Sequence, residues 1–188
     1  MLSNHTAELA EWARSYAKEL LKPLGQRWAH TEAVARQARR AGTVLSDDER
    51  DMLVAAAYLH DVGYAPKVYK SGFHPLDGAR HLEQLGVARR LCCLVAHHSA
   101  ARFEAEERDL SSQLAAYELE QSPTMDALVY ADMTTGPQGQ RMTCDERLSE
   151  ILRRYPESDP VHRAIRRATP VLHAAVARMM ERLKAASR

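Results

Sequence analysis

Histidine and aspartate residues recur along this sequence in a pattern that could bind metal ions. The candidate positions are His30, the adjacent pair His60 and Asp61, His74, either His97 or His98, and Asp132. Divalent first-row metals accept imidazole and carboxylate ligands, and a set without cysteine suits Fe, Mn, Co or Zn better than copper. Any one of these residues alone would be interpreted as structural, but the whole set predicts a divalent transition-metal centre.

Helices are the elements predicted to position these side chains. Small and apolar residues recur at helical spacing between residues 28 and 41, which places His30 in the first turn of a helix. The tract Ser46-Asp47-Asp48-Glu49 matches a capping box, in which serine and glutamate satisfy free amides at a helix start. The helix that it opens should end near Gly63, so the His60-Asp61 pair is expected in its last turn.

Further helix boundaries are predicted next to the remaining candidates. Proline after His74 is typical of a first helical position, and a later helix should end around His97 and His98. Ser122-Pro123 opens a helix that carries Asp132 at its far end. Because several chain segments can converge where helices end, we expect these residues to share one site.

The rest of the chain is also predicted to be helical. A second capping pattern, Thr143-Cys144-Asp145-Glu146, opens one helix, and proline signals make residues 159–188 two helices or one kinked helix. The acidic segment from Glu104 to Glu120 could be a lid, a dimer surface or a solvated insertion, and we favour the last. No stretch alternates for long enough to predict a strand. The predicted fold class is all-α.

Composition limits the domain organisation and the partners. The chain of 188 residues is large enough to bury a substantial core, and we expect a single domain over residues 1–188. Its net charge of +1 gives no reason to expect binding to nucleic acid or to an anionic membrane. The amino terminus lacks an apolar core of signal-peptide length, and the longest apolar run is too short to span a bilayer. We therefore expect a cytoplasmic protein.

The candidate ligands lie in motifs that can be compared with known families. These motifs are AHTEAVARQA, LHDVGY, FHPLDGARHL, LVAHHS and YADMTTG. Together they resemble the HD-domain superfamily of metal-dependent phosphohydrolases over roughly residues 27–135. The resemblance implies a helical bundle with a metal site between helix ends and C-terminal helices, residues 143–188, packed on that core. The tract after His74 is similar to a binuclear branch, the symmetrical dinucleoside tetraphosphatases, but TTGPQGQR after Asp132 departs from that branch.

The resemblance also implies a role for each candidate ligand. One metal ion would be bound by His30, His60, Asp61 and Asp132, and a second by His74, His97 and a bridging Asp61. Helical neighbours point about 100° apart, so spacing alone leaves both His97 and His98 open. The family pattern favours His97, with His98 facing phosphate or supporting a ligand. His60 and Asp61 are the residues that we expect catalysis to require.

A phosphorylated substrate also needs cationic or hydroxyl donors near the metal ions. The candidates, chosen by their positions beside the motifs, are Lys67, Arg80, Thr134, Thr135 and Arg141. Their positions in the chain predict contact with phosphate at the mouth of the site.

Three functions are compatible with this pattern. The first is hydrolysis, by metal-activated water, of a phosphomonoester, phosphodiester or phosphoanhydride of a nucleotide-like substrate. The second is an HD-type di-iron oxygenase, which uses the same ligands. The third is a non-catalytic nucleotide-sensing module, against which the intact ligand set argues. The expected partners are a small phosphorylated substrate and, in a homodimer, a second copy of the chain.

Overall fold

Ten α-helices joined by short turns make up residues 4–188, the part of the chain that a computed structural model describes, with side chains from residue 8 onward. They are α1 (Asn4–Leu21), α2 (Gln26–Ala41), α3 (Asp47–Leu59), α4 (His74–Gln84), α5 (Arg89–His97), α6 (Arg102–Glu107), α7 (Ser111–Leu114), α8 (Pro123–Met133), α9 (Cys144–Arg154) and α10 (Pro160–Ala186). Within this range the only extended pairing is an isolated bridge between Thr135 and Arg141. The all-α prediction is confirmed.

Helix α3 lies at the centre of the bundle. It packs against α1, α2, α5 and α8, and every residue from Leu53 to Leu59 is buried. A helix that is apolar on all sides is stable only when neighbours surround it, which explains this central position. Helix α10 covers the other side of α8 and also contacts α6 and α9. The ends of α3, α4, α5 and α8 are thereby brought together.

The sequence signals for helix starts are confirmed in most cases. The Ser122 side chain accepts a hydrogen bond from an amide in the first turn of α8, and α4 begins at His74 as predicted. The capping box at Thr143 is complete, since its amide donates to Glu146 at 2.7 Å. The box at Ser46 is only half formed, because the Glu49 carboxylate turns away. Its oxygens accept from Arg90 and Thr124, which tie α3 to α5 and α8.

Gly63 does not end α3 in a left-handed conformation, contrary to the prediction. Helix α3 ends at Leu59, and the His60-Asp61 pair lies in the turn that follows. A β-carbon on Gly63 would lie 1.9 Å from the carbonyl oxygen of His74, so only glycine permits this approach. The contact presses the start of α4 against the turn after α3.

Gly63→Ala is expected to lower the free energy of unfolding by about 3 kcal/mol, because the new methyl group overlaps backbone rather than a movable side chain. Urea denaturation measures this loss. Gly42→Ala is the matched control, since its β-carbon would meet only side-chain atoms of Arg50, and the nearest of them, Cγ at 2.6 Å, can move by a change of rotamer. Equal stability losses in the two variants would contradict the close-approach argument.

The later part of the chain decides between predicted alternatives. Of the two helices or one kinked helix predicted there, the structure has a single helix, residues 160–186, with Pro170 inside it. The acidic segment is not merely a solvated insertion, because α6 packs on α10 and Ala105 and Tyr117 are buried. None of the helices in the described range is long and apolar enough to cross a membrane.

Candidate metal centre

The bundle brings six of the predicted ligands together. His30 lies in α2, the His60-Asp61 pair follows α3, and Asp132 lies one residue before the end of α8. His74 is the first residue of α4, and His98 follows the last residue of α5. The ligand atoms form two groups, each with its members within 4.8 Å of one another: His30, His60 and Asp132, and Asp61, His74 and His98.

The carboxylate of Asp61 belongs to the second group and also approaches the histidines of the first. Its Oδ2 atom is 3.4 Å from His60 Nε2 and 4.0 Å from His30 Nε2, whereas its Oδ1 atom is 3.4 Å from His74 Nε2. The two oxygens of one side chain therefore face different ligand groups. This is the arrangement that a carboxylate bridging two ions would need.

The backbone determines which nitrogen of each histidine carries the proton. Nδ1 of His30 lies 3.0 Å from the carbonyl oxygen of Gly136, and Nδ1 of His60 lies 2.7 Å from that of Ala57. Nδ1 of His98 lies 2.6 Å from the carbonyl oxygen of Val95. Because a carbonyl oxygen only accepts, each Nδ1 must donate, which leaves Nε2 of the neutral ring as a free lone pair.

The lone pairs of His30 and His60 face an acceptor or no partner at all, whereas His98 Nε2 lies 3.1 Å from His74 Nε2. His60 Nε2 is buried and has no hydrogen-bond partner among the residues described. His30 Nε2 is 3.0 Å from Asp132 Oδ1, so a cation or an extra proton must lie between the two atoms. The other oxygen of Asp132 accepts from the Ser99 hydroxyl. A divalent cation would satisfy these atoms together, so the residues present fit a metal ion.

Electrostatics keep the ligands in the protonation states that metals bind. Burial alone would raise the pKa of Asp61, but Arg27 and the neighbouring histidines outweigh it and hold that pKa well below its usual range. Burial also lowers the pKa of His74 and of His98. Charged carboxylates and neutral imidazoles are the forms that coordinate metal.

Arg27 forms an ion pair with the carboxylate of Asp61. Its Nη1 atom donates to Asp61 Oδ2 at 2.8 Å, and its guanidinium lies 4.0 Å from the centre of the Tyr64 ring. The Tyr64 ring in turn stacks on His74, with ring centres 4.0 Å apart. This stack holds Asp61 and His74 in fixed relative positions.

Comparison with known families agrees with this geometry. The HD domain family matches residues 27–148, about two thirds of the chain. The chain belongs to the HD domain family. HD-domain proteins are in general metal-dependent hydrolases. The match extends past residue 135, the predicted end of the HD core, into the first turn and a half of α9. Comparisons with curated proteins and with solved structures gave no match.

The histidine that reaches the HD site is His98, and the preference for His97 is corrected. His97 Nε2 donates to the carbonyl oxygen of Tyr117 at 2.9 Å, and His97 is in neither ligand group. The chain leaves α5 at His98 and continues through Ser99 and Ala100, whose φ angles of 50° and 57° are rare for residues with a β-carbon. This sharp change of direction directs His98, rather than His97, toward α3 and α4.

A cavity of about 90 Å³ adjoins the ligands. None of the five residues predicted to bind substrate lines it: Lys67, Arg80, Thr134, Thr135 and Arg141. The first two donate to surface partners, namely Glu19 and Gln113. The two threonine hydroxyls donate to the carbonyl oxygens four residues earlier in α8, and Arg141 is exposed. Residues close to a candidate ligand in the sequence were therefore not the residues that line the cavity.

The cations that line the HD pocket are Arg27, Arg147 and Arg154. Arg27 precedes His30 by three residues on α2, so helical spacing could have indicated that both share one face. The two arginines of α9 are seven residues apart, a spacing that also places them on one face. Their sequence contains no signal that this face turns toward the metal centre, because the packing of α9 against α8 and α10 decides it.

Proposed function

We propose that this protein is a metal-dependent phosphohydrolase that uses water to cleave a phosphate ester. The observation that carries the proposal is the position of Asp61, whose two oxygens face two separate groups of ligand atoms. Two divalent ions bound there would supply a water of lowered pKa and would polarise the oxygens of a phosphoryl group. Membership in the HD family supports this reaction class.

The protein's own groups would position the reactants. Arg27 orients Asp61 through its 2.8 Å hydrogen bond and extends its positive charge into the pocket, where phosphoryl oxygens would lie. Ser99 orients Asp132 in the same way. As the oxygen of water bonds to phosphorus, the bond from phosphorus to the leaving oxygen breaks. A proton from that water ends on the leaving group, and the products are an alcohol and phosphate.

Removing the metal and then adding it back tests the proposed function. Dialysis against a chelator is expected to lower hydrolysis of p-nitrophenyl phosphate by about 100-fold or more, and addition of Fe, Mn, Co or Zn should restore it. Metal content is measured on the same samples. Full occupancy without hydrolysis of any ester would indicate a non-catalytic binding module. Iron-dependent oxygen consumption without hydrolysis would indicate an oxygenase.

A further inference from the structure

Two arginines of α9, Arg147 and Arg154, line the same pocket as Arg27. The Arg147 side chain is only 7% exposed, and its Nη1 atom donates to Glu150 at 2.5 Å. Arg154 Nη2 donates to the same carboxylate oxygen at 3.1 Å. Glu150, one turn from each arginine, thus holds both guanidinium groups at the pocket wall.

Arg147 has more hydrogen-bonding capacity than its surroundings satisfy. Glu150 is its one hydrogen-bond partner in the described part of the chain, and its buried Nε atom has none. A buried cation with unused donors is costly unless something anionic binds it. Arg147 also lines the pocket that adjoins the ligands. Its guanidinium group therefore lies at the wall of the pocket beside the candidate metal centre.

Guanidinium groups match the oxygens of a phosphoryl group in charge and in geometry. A phosphomonoester carries close to two negative charges near neutral pH, whereas a phosphodiester carries one. Arg147 and Arg154 share the single negative charge of Glu150, which leaves net positive charge at this wall. Glu104 also lines the pocket, but its carboxylate is paired with Arg108. The wall therefore favours a terminal phosphoryl group over a diester.

The size and polarity of the remaining pocket surface limit the group that can be attached to the phosphoryl group. The pocket walls away from the ligands are mostly apolar, formed by Met133, Ile151, Val161 and Ile165, together with the ring of Tyr155 and the carboxylate of Glu104. The volume of about 90 Å³ is well below the roughly 300 to 1,000 Å³ of pockets that enclose drug-sized ligands. It can hold a phosphoryl group and a small attached group, whereas a nucleoside would have to remain outside.

We propose that Arg147 and Arg154 bind the phosphoryl group of a compact, apolar phosphomonoester, an inference that rests on the proposed function. Arg154, Ile151, Val161 and Ile165 all lie beyond residue 148, where the match to the HD family ends. Substrate choice would then depend on α9 and α10 of this chain rather than on the shared metal-binding core.

Binding of inorganic phosphate tests the arginines without requiring turnover. Titration calorimetry on metal-loaded protein is expected to show about tenfold weaker phosphate binding in Arg154→Met and in Arg147→Met, because each loses a charged donor. Arg153→Met is the matched control, since Arg153 is exposed on the same helix and does not line the pocket. If Arg147→Met fails to fold, Arg154→Met still tests the proposal, because Arg154 is exposed and its replacement should not disturb the core. Equal phosphate affinity in wild type and Arg154→Met would overturn the proposal.

Ester selectivity tests the proposed substrate class. We expect kcat/KM for phenyl phosphate to exceed that for adenosine monophosphate and for bis(p-nitrophenyl) phosphate by at least about tenfold. In Arg154→Met, KM for phenyl phosphate should rise more than kcat falls, a division that a merely structural role would not produce. A preference for the nucleotide or the diester would overturn the substrate class. Arginine-dependent phosphate binding without hydrolysis of any ester would overturn the proposed hydrolysis and leave the phosphate site supported.

Discussion

Asp61→Asn is expected to lower kcat for phosphate-ester hydrolysis by about 1,000-fold, which corresponds to about 4 kcal/mol of activation free energy. The substitution keeps the size of the side chain but removes the charge that faces both ligand groups and Arg27. Metal content should fall as well, because an amide is a weaker ligand than a carboxylate. Steady-state kinetics with saturating metal, together with metal analysis after dialysis, measure both effects.

Asp126→Asn is the control for this experiment. Asp126 is also a buried carboxylate, but it binds Arg178 and Arg182 of α10 and does not line the metal pocket. Its replacement should cost stability and leave kcat within about threefold of wild type. The proposed role of Asp61 would be refuted by an Asp61→Asn variant that folds, retains its metal and turns over at the wild-type rate.

His98→Ala is expected to reduce metal binding and to lower kcat by about 100-fold, since its Nε2 atom belongs to the second ligand group. The variant should lose one ion and keep the other, because the group formed by His30, His60 and Asp132 is untouched. Metal stoichiometry after dialysis, measured by mass spectrometry, distinguishes loss of one ion from loss of both.

His97→Ala provides a control that differs by one position in the chain. The variant loses the hydrogen bond to Tyr117 and the packing of a buried ring, so we expect a stability cost of about 1 kcal/mol or more with metal content unchanged. The comparison is decisive because the two histidines are adjacent yet lie in different environments. Loss of metal in His97→Ala with retention in His98→Ala would contradict the structure's placement of these residues.

Helix starts were predictable because the interactions that form them are local. Serine or threonine at the boundary and proline at the first helical position act within one turn, so α4, α8 and α9 begin where the sequence indicates. The errors arose where distant segments intervene. Glu49 leaves its capping box for partners in α5 and α8, and Gly63 is required by the backbone of His74 rather than by the end of α3.

The candidate ligand residues could be predicted from the sequence, because a set of histidines and aspartates near predicted helix ends would be costly to bury together without a cation. The sequence did not determine whether His97 or His98 reaches the site, since that depends on the direction in which the chain leaves α5.

The sequence did not predict the arginines that line the pocket either. Which cation meets a site depends on how helices pack, and the contacts of α9 with α8 and α10 join residues far apart in the chain. Local interactions therefore specified the helix starts and the chemistry of the ligands, and long-range packing selected the residues that surround them.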